Sequence, residues 1–148
     1  MEILALKATL SEQVLNELLA KHLPRDAPVE ELRIAVTPEG VVVKGEYPLL
    51  VTVSFETLWE LSVAEGKVVA RLARLRTLGM PMSVLRSVVM TAIAAAARSE
   101  DWIQVDKETV RIDVDGALAK EGLRARTNLT AVRCEPGVLV IEAGKPTA

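Results

Sequence analysis

The chain has 148 residues, a size at which one hydrophobic core can close without disulfide or metal staples. Half of it is hydrophobic, yet aromatics supply only 3% (Tyr47, Phe55, Trp59 and Trp102), too few to stack nucleic-acid bases. A net charge of −2 and a pI near 5.5 remove the basic field that DNA or RNA binding needs, and the one cysteine, Cys134, excludes an intramolecular disulfide or multi-cysteine metal site.

The opening MEILALKATL has an apolar patch but neither a basic n-region nor a small-residue cleavage site, and it is far too short to span a bilayer. The expectation is a cytoplasmic protein. Ile3 to Ala8 alternates as a short strand. A helix then opens, either through a Thr9–Glu12 capping box or with Ser11 as the cap. Val14, Leu15, Leu18, Leu19 and Leu23 follow at helical spacing, and Pro24 ends the run.

From Val29 the period switches to two. Leu32, Ile34 and Val36 alternate with polar residues, Pro38-Glu39-Gly40 turns, and Val41 to Tyr47 returns as the partner strand. Leu49, Val51, Val53 and Phe55 then share one face, with Thr52, Ser54 and Glu56 on the other. The alternation runs on through Trp59, Leu61 and Val63 to a turn at Ala64-Glu65-Gly66, and Lys67 to Thr77 forms another strand. This reads as an antiparallel meander with one wet face.

Pro81 suits the first turn of a helix reaching about Arg98, some 27 Å long at about 1.5 Å per residue. Its polar stripe (Ser83, Ser87, Thr91, Arg98) is narrow, and Val84, Leu85, Val88, Val89, Met90, Ile93 and a run of alanines cover most of the rest. Ile103 and Val105, then Val110, Ile112 and Val114, alternate as strands. Asp115-Gly116 starts a helical turn that Gly122 closes. Arg124 to Arg133 and Val138 to Glu142 are the last strands, joined at Glu135-Pro136-Gly137. Residues 1–148 read as a single α+β domain: a long, curved antiparallel sheet of about six to eight strands wrapped against two main helices, about 11–23 and 81–98.

No catalytic constellation emerges, and no cofactor is implied. His22 is the only histidine, and no glycine-rich phosphate loop or nucleophile elbow is present. Asp113 and Asp115 would sit on one strand face about 6.5–7 Å apart, as a cation or acid pair or as a solvated face. Arg71, Arg74 and Arg76, and the group Arg124, Arg126 and Arg133, are either cross-strand ion-pair partners or contacts for a phosphate or membrane headgroup.

The order of elements, with the segments LSEQVLN, LRIAVTPEGVVVKGEY and VRIDVDGALAKEGLRARTNLTAVRCEPGVLVIE, resembles half of a domain of the tubular lipid-binding (TULIP) superfamily, most closely its bacterial LmeA-like branch. The resemblance implies an apolar cavity between sheet and helix that receives acyl chains, with no catalytic residues. The expected function is therefore non-enzymatic binding of an apolar ligand, such as lipid or fatty-acyl chains, possible partners being a membrane surface or a second copy of the chain. The expected lining is Leu49, Val51, Val53, Phe55, Leu85, Val88, Val89, Ala92 and Ile93, with Arg71, Arg74 and Arg76 at a headgroup. The alternative is a homodimeric interaction domain whose surplus apolar surface is closed by a second copy.

Overall fold

The computed structural model describes residues 5–22, 29–48, 51–77, 80–98, 100–120, 122–123 and 126–144. In chain order these form β1 (Ala5–Ser11), α1 (Glu12–His22), β2 (Glu30–Thr37), β3 (Gly40–Pro48), β4 (Thr52–Ala64) and β5 (Lys67–Thr77). Next come α2 (Met82–Ala97), β6 (Ile103–Asp106), β7 (Thr109–Ile112), α3 (Val114–Lys120), β8 (Leu129–Glu135) and β9 (Val138–Gly144). The fold is α+β. Its strands divide between a six-stranded antiparallel sheet, ordered β2-β3-β4-β5-β7-β6, and a three-stranded one, ordered β1-β9-β8.

The meander follows the alternation. Val53, Phe55, Thr57 and Trp59 of β4 are buried, while Thr52, Ser54 and Glu60 on the other face are exposed. Two departures carry physical meaning. A bulge in β5 opposite Leu58 and Trp59 inserts a residue, so Arg71 and Arg74, three positions apart, both face solvent. At β3, Gly45 is required by a close approach. A Cβ there would lie 2.5 Å from the Leu32 side chain and 2.8 Å from the Phe55 ring. Phe55 thus rests on bare backbone.

The main core lies between the inner face of the six-stranded sheet and α2. Phe55, Trp59, Ala70, Leu72, Leu75 and Val110 of the sheet meet Leu85 and Val89 of the helix. The polar groups of Thr57 and Trp59 in it are satisfied, because Trp59 Nε1 donates to Thr57 Oγ1 at 2.9 Å and that hydroxyl donates to the Val43 carbonyl at 3.1 Å. A second, smaller cluster joins the two sheets, with Val68 packed against Leu129 and Ala143.

β1 runs further than expected, to Ser11, since its pairing with β9 continues through Leu10↔Leu139 and Ser11↔Val138. Thr9 therefore belongs to the strand. Ser11 is the residue that caps, accepting from the Val14 N–H at 3.3 Å.

The free edge of β2 is closed by side chains of α1. Asn16 imitates a strand: its Oδ1 accepts from the Ile34 N–H at 2.7 Å and its Nδ2 donates to the Ile34 carbonyl at 3.0 Å. One pleat further on, the Val36 N–H donates to Glu12 Oε1 at 2.8 Å, and the Val36 carbonyl accepts from the Gly137 N–H at 2.9 Å. An exposed edge invites pairing with another chain, and this device removes it. Asn16→Ala is expected to lower stability by about 1–2 kcal/mol in urea unfolding. Gln13→Ala, on the exposed side of the same helix, should stay within about 0.5 kcal/mol.

Candidate functional site

Of the residues expected to line an apolar groove, Phe55, Leu85, Val88, Val89 and Ile93 come together in the main core. Leu85 is 0% exposed, and Val53 and Val89 are buried with it, while Ala92 is half-buried. Phe55, Leu85, Val88, Val89 and Ile93 fill the seam between sheet and helix by packing on one another. Val51 does not join them. β4 begins one residue later, at Thr52, and Val51 sits in the preceding bend at 75% exposure, because pairing with β3 ends at Pro48↔Thr52. Leu49 lies outside the described residues.

A groove of about 790 Å³ opens at the end of this seam, where β5 stops and α2 begins. Phe55 and Met82 give it apolar walls; Lys44 and Arg76 supply positive charge, and Glu31, Glu46 and Glu56 negative charge. Thr52, Ser54 and Thr77 complete the polar lining. Its residues come from both faces of the sheet, so the groove carries a charged side and an apolar side. A volume of this size lies within the range of about 300–1,000 Å³ usual for small-molecule sites.

The arginines separate. Arg71 is paired with Glu60 at 2.6 Å and Arg74 with Glu39 at 3.9 Å, so these two are engaged across strands. Arg133 is likewise paired with Glu142, at 2.7 Å. Arg76 alone of the expected headgroup trio lines the groove. Arg126 is exposed, and Arg124 lies outside the described residues. Lys44, Glu46 and Met82 were not expected at the site. The β3–β4 and β4–β5 registers set Lys44 beside Glu56 and Glu56 beside Arg76, and place Glu46 opposite Ser54.

The Asp113/Asp115 pair is not what strand spacing suggests. β7 ends at Ile112, so neither carboxylate lies on a strand. Asp113 precedes α3, and Asp115, inside it, accepts from the Thr127 N–H at 2.9 Å and from the Thr127 hydroxyl. That carboxylate ties a loop to a helix. Among the described residues no group of histidines, cysteines and carboxylates could hold a metal ion. Of His22 the side chain lies outside the described residues. Cys134 is half-buried on β8, and burial pushes its thiol up from the ordinary value. Among the described residues, no helix is long and apolar enough to cross a membrane.

Compared with known proteins, the chain matches no family model, and no curated protein matches it.

Three outcomes follow. Leu85→Ala should cost about 2–5 kcal/mol of unfolding free energy, the range for emptying a filled core position. Val51→Ser should change stability by less than about 0.5 kcal/mol. Because a raised pKa keeps the Cys134 thiol protonated to higher pH, its alkylation in the native protein should be slower than in the urea-unfolded chain through mildly alkaline pH, and should rise at a higher midpoint.

Proposed function

We propose that the chain is a non-enzymatic binding protein for an amphiphile with an acyl-type tail. The observation that carries this reading is the two-sided groove. Its charged side, with Lys44 and Arg76, suits a polar head, and its apolar side, with Phe55 and Met82, leads toward the seam between the inner sheet face and α2.

The tail enters by displacing packing that is apolar on both sides. Contacts with Phe55, Val88 and Ile93 are exchanged for contacts with the ligand, and each buried CH₂ of the tail contributes about 0.8 kcal/mol. α2 suits a yielding cover. Among its described residues the side-chain polar tie to the rest of the chain is the exposed Arg86–Glu108 ion pair, and exposed pairs are weak. Its N-terminus at Pro81 has no side-chain cap. Binding of acyl chains is also what the resemblance to the tubular lipid-binding superfamily implies.

A second reading draws on α1, where Val14 and Leu18 are 39% and 43% exposed on one helical face. In that reading a second copy of the chain covers leftover apolar surface.

The test combines native mass spectrometry with displacement of a fluorescent acyl probe. The expected result is an adduct of lipid mass and saturable probe binding. Met82→Glu, at a half-exposed position, should weaken that binding about tenfold or more while leaving the unfolding midpoint nearly unchanged. A clean unliganded mass together with no probe binding would sink the amphiphile reading. A stable dimer under the same conditions, dissociated by Leu18→Asp, would favour the second.

A further inference from the structure

Strand register arranges the charges of the groove in two rows of opposite sign. In one row Arg33 opposes Lys44, Lys44 opposes Glu56, and Glu56 opposes Arg76, giving three cations to one carboxylate across β2 to β5. In the neighbouring row Glu30 opposes Glu46, which opposes Ser54. Glu31 stands beside that second row in the β2 bulge, with a left-handed φ of +52°. Along β3 the two rows are two residues apart, about 6.5–7 Å.

Both rows break a local rule. Like charges directly opposite one another destabilise a sheet, yet Arg33 faces Lys44 and Glu30 faces Glu46. Elsewhere in the same sheet Arg71 is paired with Glu60 across strands, and Arg74 lies 3.9 Å from Glu39 of the β2–β3 turn. Lys44, Glu56 and Arg76 are successive register neighbours, yet they form no ion pair among the described residues, and neither does Glu46. Positions where a sequence forgoes an available stabilisation are where functional constraint is expected.

We propose that the groove selects amphiphiles with a dipolar head, taking a phosphate or carboxylate on Lys44 and Arg76, the two cations that flank Glu56 in that row, and an ammonium beside Glu31 and Glu46. The proposal rests on the amphiphile reading above and specifies its ligand class. A purely anionic head meets three carboxylates for two cations in the groove, and a purely cationic head meets the Arg33–Lys44–Arg76 row. An uncharged head leaves both rows unmatched. A head carrying both charges satisfies each row with its opposite.

The test uses four single-chain amphiphiles with one tail and different heads (phosphoethanolamine, phosphate, glycerol and ammonium), each displacing a fluorescent acyl probe below its micelle concentration. Phosphoethanolamine should bind about fivefold tighter than the phosphate and glycerol heads. The double reversal K44E/R76E, both on exposed strand positions, should abolish that preference and make ammonium the tightest head. E46K, carrying the opposite reversal, should instead favour phosphate. Equal affinities for all four heads, or phosphate tightest on the unaltered protein, would overturn the dipolar-head proposal and leave amphiphile binding intact. Displacement by none of them would remove the amphiphile reading, and this proposal with it.

Discussion

The edge of β2 is where α1 and the turn between β8 and β9 are tied to the six-stranded sheet by directional bonds. A six-stranded sheet with a bare outer strand would present unpaired N–H and C=O groups at Ile34 and Val36, and their desolvation or mispairing would be costly. Asn16 and Glu12 meet those groups from α1, and Gly137 meets the Val36 carbonyl from the turn between β8 and β9. The Glu12 N–H in turn donates to the Gly137 carbonyl at 3.3 Å, so helix, edge strand and turn hold one another. With α1 and the three-stranded sheet fixed to this edge, the small cluster around Val68, Leu129 and Ala143 can close beneath them.

That arrangement leaves the molecule asymmetric. One end is anchored by directional bonds, whereas α2 covers the other through apolar side chains that need no particular partner. Directional bonds fix geometry, and aliphatic packing tolerates exchange of one hydrocarbon for another at small cost. A ligand tail able to replace Val88 or Ile93 against the sheet meets its least resistance at α2. The groove bounded by Met82 and Phe55 opens there.

Much of the fold was legible because the strand period is short and local. β5 runs over Lys67–Thr77 as its alternation and flanking turns require, and the Pro38-Glu39-Gly40 turn fixes the β2–β3 register. The helix spanning about 81–98 appears as Met82–Ala97. What alternation does not carry is pairing between distant segments. β1 finds β9 across more than a hundred residues, and nothing in either pattern names the other, so the division into two sheets was not readable. The role of Asn16 was hidden for the same reason: its partner at Ile34 belongs to another element. Asp113 and Asp115 misled because strand spacing was extended past Ile112 into what is a helix. At the site, Phe55, Leu85, Val88, Val89 and Ile93 were visible as apolar positions, and they pack on one another in the seam, whereas Val51 stays exposed. The charged rows required register before Lys44 could be set beside Glu56 and Arg76.

The most direct measurement of this account is amide hydrogen exchange on the protein with and without a saturating single-chain amphiphile. If the ligand takes the place of α2 packing, exchange should change in α2 and in the strand ends around Lys44–Glu46 and Thr52–Phe55, while β1, β8, β9 and the Asn16–Ile34 edge keep their protection. Unchanged exchange in α2 and in those strand ends, or a change confined to the three-stranded sheet, would contradict it.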